Sequence, residues 1–142
     1  MFYGNDRSAL RRQYLEAWRK HREGLPLEPL EAQIADVIAL HPEYHAMFAD
    51  PEAATDRDWT PEQGESNPFL HMGLHLAIRE QVSVDRPTGI RTVHQALRLR
   101  TGDLHEAEHR MIDCLATALW EAQRAGTPPD ERLYLERLRA LT

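Results

Sequence analysis

Residues 103–126, DLHEAEHRMIDCLATALWEAQRAG, decide the fold. Asp103 has the short acceptor side chain of a helix N-cap and Gly126 supplies the stop. Between them Met111, Ile112, Leu115, Ala116, Leu119 and Ala122 fall on one arc when about 100° is allowed per residue. Glu106, Arg110, Asp113, Glu121 and Arg124 fall on the other side, so the stretch predicts an amphipathic helix over 104–125, the longest in the chain. His105, Glu108 and His109 lie with the apolar arc in its first two turns; Glu106 does not.

The same punctuation recurs on either side. Asn67-Pro68 is an N-cap followed by proline at the first helical position, and opens a helix to Val84 with Leu70, Leu74, Ala77, Ile78 and Val82 inward. His71 and His75 share that arc, while Arg79, Glu80 and Ser83 point away. After the turn Arg86-Pro87-Thr88-Gly89, Ile90, Val93 and Leu97 mark a helix that stops at Gly102. Nearer the start, residues 6–23 carry Leu10, Tyr14, Ala17, Trp18 and His21 at helical spacing, with Gly24 as the stop. A second helix from Pro29 has the stripe Leu30, Ile34, Val37 and Ile38, and Pro42–Phe48 reads as a short helix of its own. A last one starts at Thr127-Pro128-Pro129, with Leu135, Leu138 and Leu141 inward. Residues 50–66 lack periodicity, are rich in Asp, Glu, Pro and Gly, and hold one large apolar residue, Trp59, which either pins the segment down or meets a partner. No stretch reads as a strand. The expected fold is all-α, a single helical domain over 1–142 with about six to seven helices and one long acidic loop.

Composition sets limits on function. A net charge of −6 argues against a protein built to grip a phosphate backbone, which relies on excess Lys and Arg. Arg11, Arg12, Arg19, Lys20 and Arg22 make the first helix basic, which reads as a solvated face. One cysteine, Cys114, excludes an internal disulfide and fits a reducing compartment as a small apolar residue. No apolar run has the length of a membrane span, and the charged N-terminal stretch lacks the apolar core of a secretory signal, so the expected location is the cytoplasm.

Six of the eight histidines form three H-x-x-x-H pairs: His41/His45, His71/His75 and His105/His109. Residues i and i+4 share a helix face, so each pair can chelate one ion. Short turns before and after the 88–101 helix make the helices from 67 and 104 run roughly parallel from the same end, which brings His71 and His75 to His105 and His109. These four, with Glu108 as ligand or as a partner behind the ligands, are the expected metal site. Imidazole donors suit a divalent transition metal, zinc or iron foremost. A second helix running opposite to these would bring His41 and His45 to the same end, but Pro42 disrupts the geometry of that pair, so the sequence leaves their membership of the site open; His21 and His94 lack partners at ligand spacing and read as surface or boundary residues. The five residues 105–109 match both H-E-x-x-H and H-x-x-E-H, which makes neither specific, and Glu106 at the third position after Asp103 also suits a capping box. A metal-dependent hydrolase therefore ranks below a metal-binding protein without assigned activity. The rival from another class is a metal-free interaction module, in which buried histidines hydrogen-bond to Glu108 and a protein partner docks on loop 50–66.

The segments DRSALRRQYLEAWRKHREGLPLEPLEA, HPEYH, DRDWTPEQGESNPFLHMGLHLAIREQ, RPTGIR and HEAEHRM resemble DUF1841, an uncharacterised bacterial family. The resemblance covers nearly the whole chain and implies a small cytoplasmic bacterial protein. It brings no activity, substrate or cofactor to these positions, so the expected site rests on spacing and facing.

Overall fold

The structure, a computed structural model, describes residues 2–57, 59 and 67–142, with side chains from Arg7 onward. Among these residues the chain forms α1 (Phe2–Arg22), α2 (Pro29–Ala39), a 3-10 turn (Pro42–Tyr44), α3 (His45–Phe48), α4 (Pro51–Asp56), α5 (Pro68–Val84), α6 (Ile90–Thr101), α7 (Leu104–Ala125) and α8 (Glu131–Ala140), with no strand. The protein is all-α, as its periodicity predicts.

Most boundaries follow the predicted chemistry. Asn67 Oδ1 accepts the backbone N–H groups of Phe69 (2.9 Å) and Leu70 (3.3 Å), and Pro68 fills the first helical position. Asp103 Oδ1 accepts the N–H of His105 at 2.9 Å, and Gly102 and Gly126 end α6 and α7 in the left-handed region, where a Cβ is strained. Three boundaries differ. Helix α1 begins at Phe2, ahead of residue 6. Helix α8 begins at Glu131, because Asp130 rather than Thr127 caps it, its carboxylate accepting the N–H of Leu133 at 3.0 Å. The expected loop 50–66 contains α4, which Asp50 caps and Pro51 opens, the same pairing as Asn67-Pro68; residues 58 and 60–66 of that loop lie outside the described residues.

The chain divides into two compact units, residues 1–73 and 74–142, with the boundary inside α5. In the first unit α1 packs along α2 and against α4, and Tyr14, Ala17, Trp18, Ile34, Val37, Ile38 and Phe48 are buried. Arg11, expected on a solvated face, is only 2% exposed. Its Nη1 donates to the carbonyls of Ala54 (3.4 Å), Thr55 (3.1 Å) and Arg57 (2.7 Å), the C-terminal end of α4, where the helix dipole favours a cation. The guanidinium also lies 5.1 Å from the ring centroids of both Trp59 and Phe69. Trp59 is half-buried, with its ring 5.9 Å from that of Phe69.

In the second unit α6, α7 and α8 pack on one another around Ile78, Ile90, Val93, Leu97, Ala107, Met111, Ile112, Leu115, Ala118, Tyr134 and Leu138. Each fully buried aliphatic side chain here stabilises the fold by about 1.5–3 kcal/mol. Tyr134 Oη donates to Gln81 Oε1 at 2.7 Å, tying α8 to α5, and Arg137 pairs with Glu121 between α8 and α7. The inward arc of α7 is Ala107, Met111, Ile112, Leu115, Ala118 and Ala122; Ala116 and Leu119 are exposed, as is Leu70 of α5, contrary to the helical-wheel assignment. Trp120 is 56% exposed and lies under the Arg124 guanidinium. Among the described residues no helix is long and apolar enough to cross a membrane.

Candidate metal centre

Within the C-terminal unit, α5 and α7 bring His75, Glu108, His105 and His109 together. Facing explains the convergence. His105 and His109 are one turn apart on α7, Glu108 is on the same side and buried, and His75 projects from the inward face of α5 with no exposed surface. The His75 and His105 rings stack in parallel, 5.1 Å between centroids, while His109 meets His75 at 4.8 Å and His105 at 4.2 Å at steep angles. One ring nitrogen from each of the three lies within 4.8 Å of the others. His105 and His109 are half-buried, so the cluster has one side within reach of solvent.

Glu108 organises this arrangement. His75 Nδ1 donates to its Oε1 at 2.8 Å and Arg79 Nε donates to its Oε2 at 3.0 Å. Burial pushes the Glu108 carboxyl up, but the hydrogen bond from His75 and the charge and hydrogen bond of Arg79 outweigh it and hold the group below the usual carboxylate range. The carboxylate thus remains an acceptor and fixes the His75 proton on Nδ1. The basic nitrogen of His75 is then Nε2. A carboxylate behind an imidazole in this way orients the ring and makes it a better donor to a metal.

Other histidines take different places. His71, expected as a ligand, belongs to the N-terminal unit, where its ring meets His41 edge-on at 5.1 Å and Tyr44 at 6.4 Å. His41 Nδ1 donates to Val37 O and His45 Nε2 to Ile38 O, both at 2.8 Å, so this pair covers carbonyls in the last turn of α2. The Tyr44 ring stacks on His41 and Trp18 lies against His45. His21 is exposed and stacks on Trp18. His94 corrects its expected surface position: it is 8% exposed on α6, and burial, then the charge of Arg98, hold its imidazole below the ordinary value against an opposing pull from Glu108.

The two glutamates of the motif separate cleanly. Glu106 is exposed and pairs with Arg110 at 3.3 Å; the hydrogen bonds of the α7 N-terminus show Asp103 capping without a reciprocal bond from Glu106. Arg79 is the residue that sequence reasoning placed on the wrong side. Its signal was its position, one turn beyond His75 on the same helix, where a long side chain reaches the partner of that histidine.

The family model for DUF1841, a domain of unknown function, matches residues 6–140 of the 142-residue chain. The chain belongs to the DUF1841 family. No curated protein and no solved structure matches it. What bears on the function of this DUF1841 member is therefore the chemistry of the site itself.

Proposed function

We propose that the protein binds one divalent transition-metal ion through His75, His105 and His109, with Glu108 behind His75 as an orienting partner and not a ligand. The observation that carries this reading is the convergence of three ring nitrogens within 4.8 Å beside a carboxylate already taken up by His75 and Arg79. Imidazoles bound to one ion stand about 3.3 Å apart at metal–nitrogen distances of about 2.0–2.1 Å, so the rings need close by no more than about 1.5 Å. Three neutral nitrogen donors suit zinc or iron(II). The first turns of α7 disfavour a bare cation through the helix dipole, and the ionised Glu108 offsets that field. His71 is left out of this ligand set because its ring contacts are with His41 and Tyr44. The single cysteine supports a reducing, cytoplasmic setting.

One observation favours the metal-free rival. Each Glu108 oxygen already accepts a hydrogen bond from a protein group, so a buried His/Glu/Arg cluster can serve as a core element of an interaction module. Catalysis gains less support, since Glu106 is turned to solvent beside Arg110. Elemental analysis of protein produced without a histidine tag separates the two. The metal reading expects about one ion per chain, lost in His105→Ala and His109→Ala and retained in His71→Ala. Folded wild-type protein that takes up no zinc or iron(II) on titration overturns it.

A further inference from the structure

The N-terminal unit has a groove of about 980 Å³ between α1 on one side and α3 and α4 on the other. Its floor is apolar: Leu15, Trp18, Phe48 and Pro51. Its walls carry opposite charges. On α1, Arg19 is held by Glu16 at 2.5 Å and Glu23 at 2.6 Å, a triad that closes on itself with one carboxylate in excess. Arg12 and Arg22, exposed at the two ends of that wall, make no ion pair among the described residues. They are ten residues apart on one helix, about 15 Å at 1.5 Å per residue. Across the groove, Glu52 and Asp56 lie one turn apart on α4, exposed and without an ion pair among the described residues. Opposite charges that face each other and do not meet leave a gap for something between them.

We propose that this groove binds an amphipathic helix of a partner protein, with an apolar stripe against Trp18 and Phe48, carboxylates along the edge facing α1 and Lys or Arg along the edge facing α4. A helix suits the groove because both walls are themselves helical and its apolar lining can take anchors at i, i+3, i+4 and i+7. Charge complementarity sets the partner's chemistry. Arg12 and Arg22 call for two acidic groups about 15 Å apart on one edge, and Glu52 and Asp56 call for basic groups one turn apart on the other. The groove is preformed, because Arg11 holds the end of α4 through three carbonyls and so fixes one wall without a ligand.

The test uses the full chain and three fluorescein-labelled helical peptides of about 18 residues, five turns, sharing one leucine stripe. One has a Glu edge and a Lys edge, one has Lys on both, and one has Glu on both. Fluorescence anisotropy should show the mixed peptide binding about tenfold tighter than either single-sign peptide at low salt, with the gap narrowing as salt screens it. In the double variant Arg12→Glu, Arg22→Glu the preference should pass to the all-Lys peptide. In Glu52→Lys, Asp56→Lys it should pass to the all-Glu peptide, which keeps the proposal testable if the first variant misfolds. Absence of binding by all three peptides, or a ranking that neither pair of charge reversals changes, overturns it. So does self-association of the chain that the mixed peptide fails to compete away, which assigns the groove to a second copy.

Discussion

The pairs His41/His45 and His105/His109 have the same spacing and different surroundings. In the N-terminal unit His41 and His45 spend ring nitrogens on carbonyls at the end of α2 and lie against Tyr44 and Trp18. In the C-terminal unit His75, His105 and His109 converge, and His75 of α5 donates to the buried carboxylate of Glu108 on α7. Spacing of i, i+4 puts two imidazoles on one face, but what that face meets decides their chemistry. A helix end offers carbonyls and uses histidine as a cap. The side of a helix packed against another offers a second set of side chains, so ligands from two elements can meet there.

The largest expected effect is on the carboxylate that distinguishes the two groups. Glu108→Ala leaves the His75 Nδ1–H and the Arg79 guanidinium without their buried acceptor, and should cost about 3–5 kcal/mol in urea unfolding. Glu106→Ala, two residues earlier on the same helix but exposed, should stay within about 0.5 kcal/mol. Equal costs for the two would remove Glu108 as the organiser of the cluster.

Next in size is the cap. His45→Ala loses one hydrogen bond to Ile38 O and the contact with Trp18, and should destabilise by about 1 kcal/mol while leaving metal content unchanged. A loss of bound metal in that variant would break the contrast between the groups.

The smallest effect is a pH dependence. Burial lowers the His94 imidazole below its ordinary 6.5, so the unfolded chain takes up its proton first as the pH falls. His94 therefore leaves stability intact above 6.5 and reduces it as the pH drops below that value toward the lower folded one. His94→Gln should flatten this part of the profile in urea midpoints measured at about pH 7 and about pH 5.5. An unchanged slope would show that His94 is equally easy to protonate in both states.

Much of the fold was legible because helix ends are written locally. Asn67-Pro68, Asp103, Gly102 and Gly126 mark boundaries through their own backbone chemistry, and the structure keeps all four. Helix α4 carried the same Asp50-Pro51 signal, but its acidic composition and its length of six residues gave no apolar period to read. The inward facing of His75, His105, Glu108 and His109 was legible from the wheel. The edge-on contacts of the His71 ring with His41 and Tyr44 were not, since periodicity along one helix carries no mark of partners distant in sequence. Arg11 shows the other blind spot: a buried arginine is made acceptable by carbonyls and aromatic rings that are distant in sequence.

The most direct measurement is the chelator-sensitive part of the melting temperature in untagged protein at pH 7, compared across wild type, His105→Ala and His45→Ala. An ion present at about a thousand times its dissociation constant adds about 4 kcal/mol to the folded state, which corresponds to a shift on the order of 10 °C for a chain of this size. Metal binding by His75, His105 and His109 predicts that chelation lowers the wild-type and His45→Ala transitions by a similar amount and leaves His105→Ala where it was. Melting curves that chelator and added zinc or iron(II) leave unmoved in all three proteins would contradict it, and would assign the cluster to a metal-free hydrogen-bonded core.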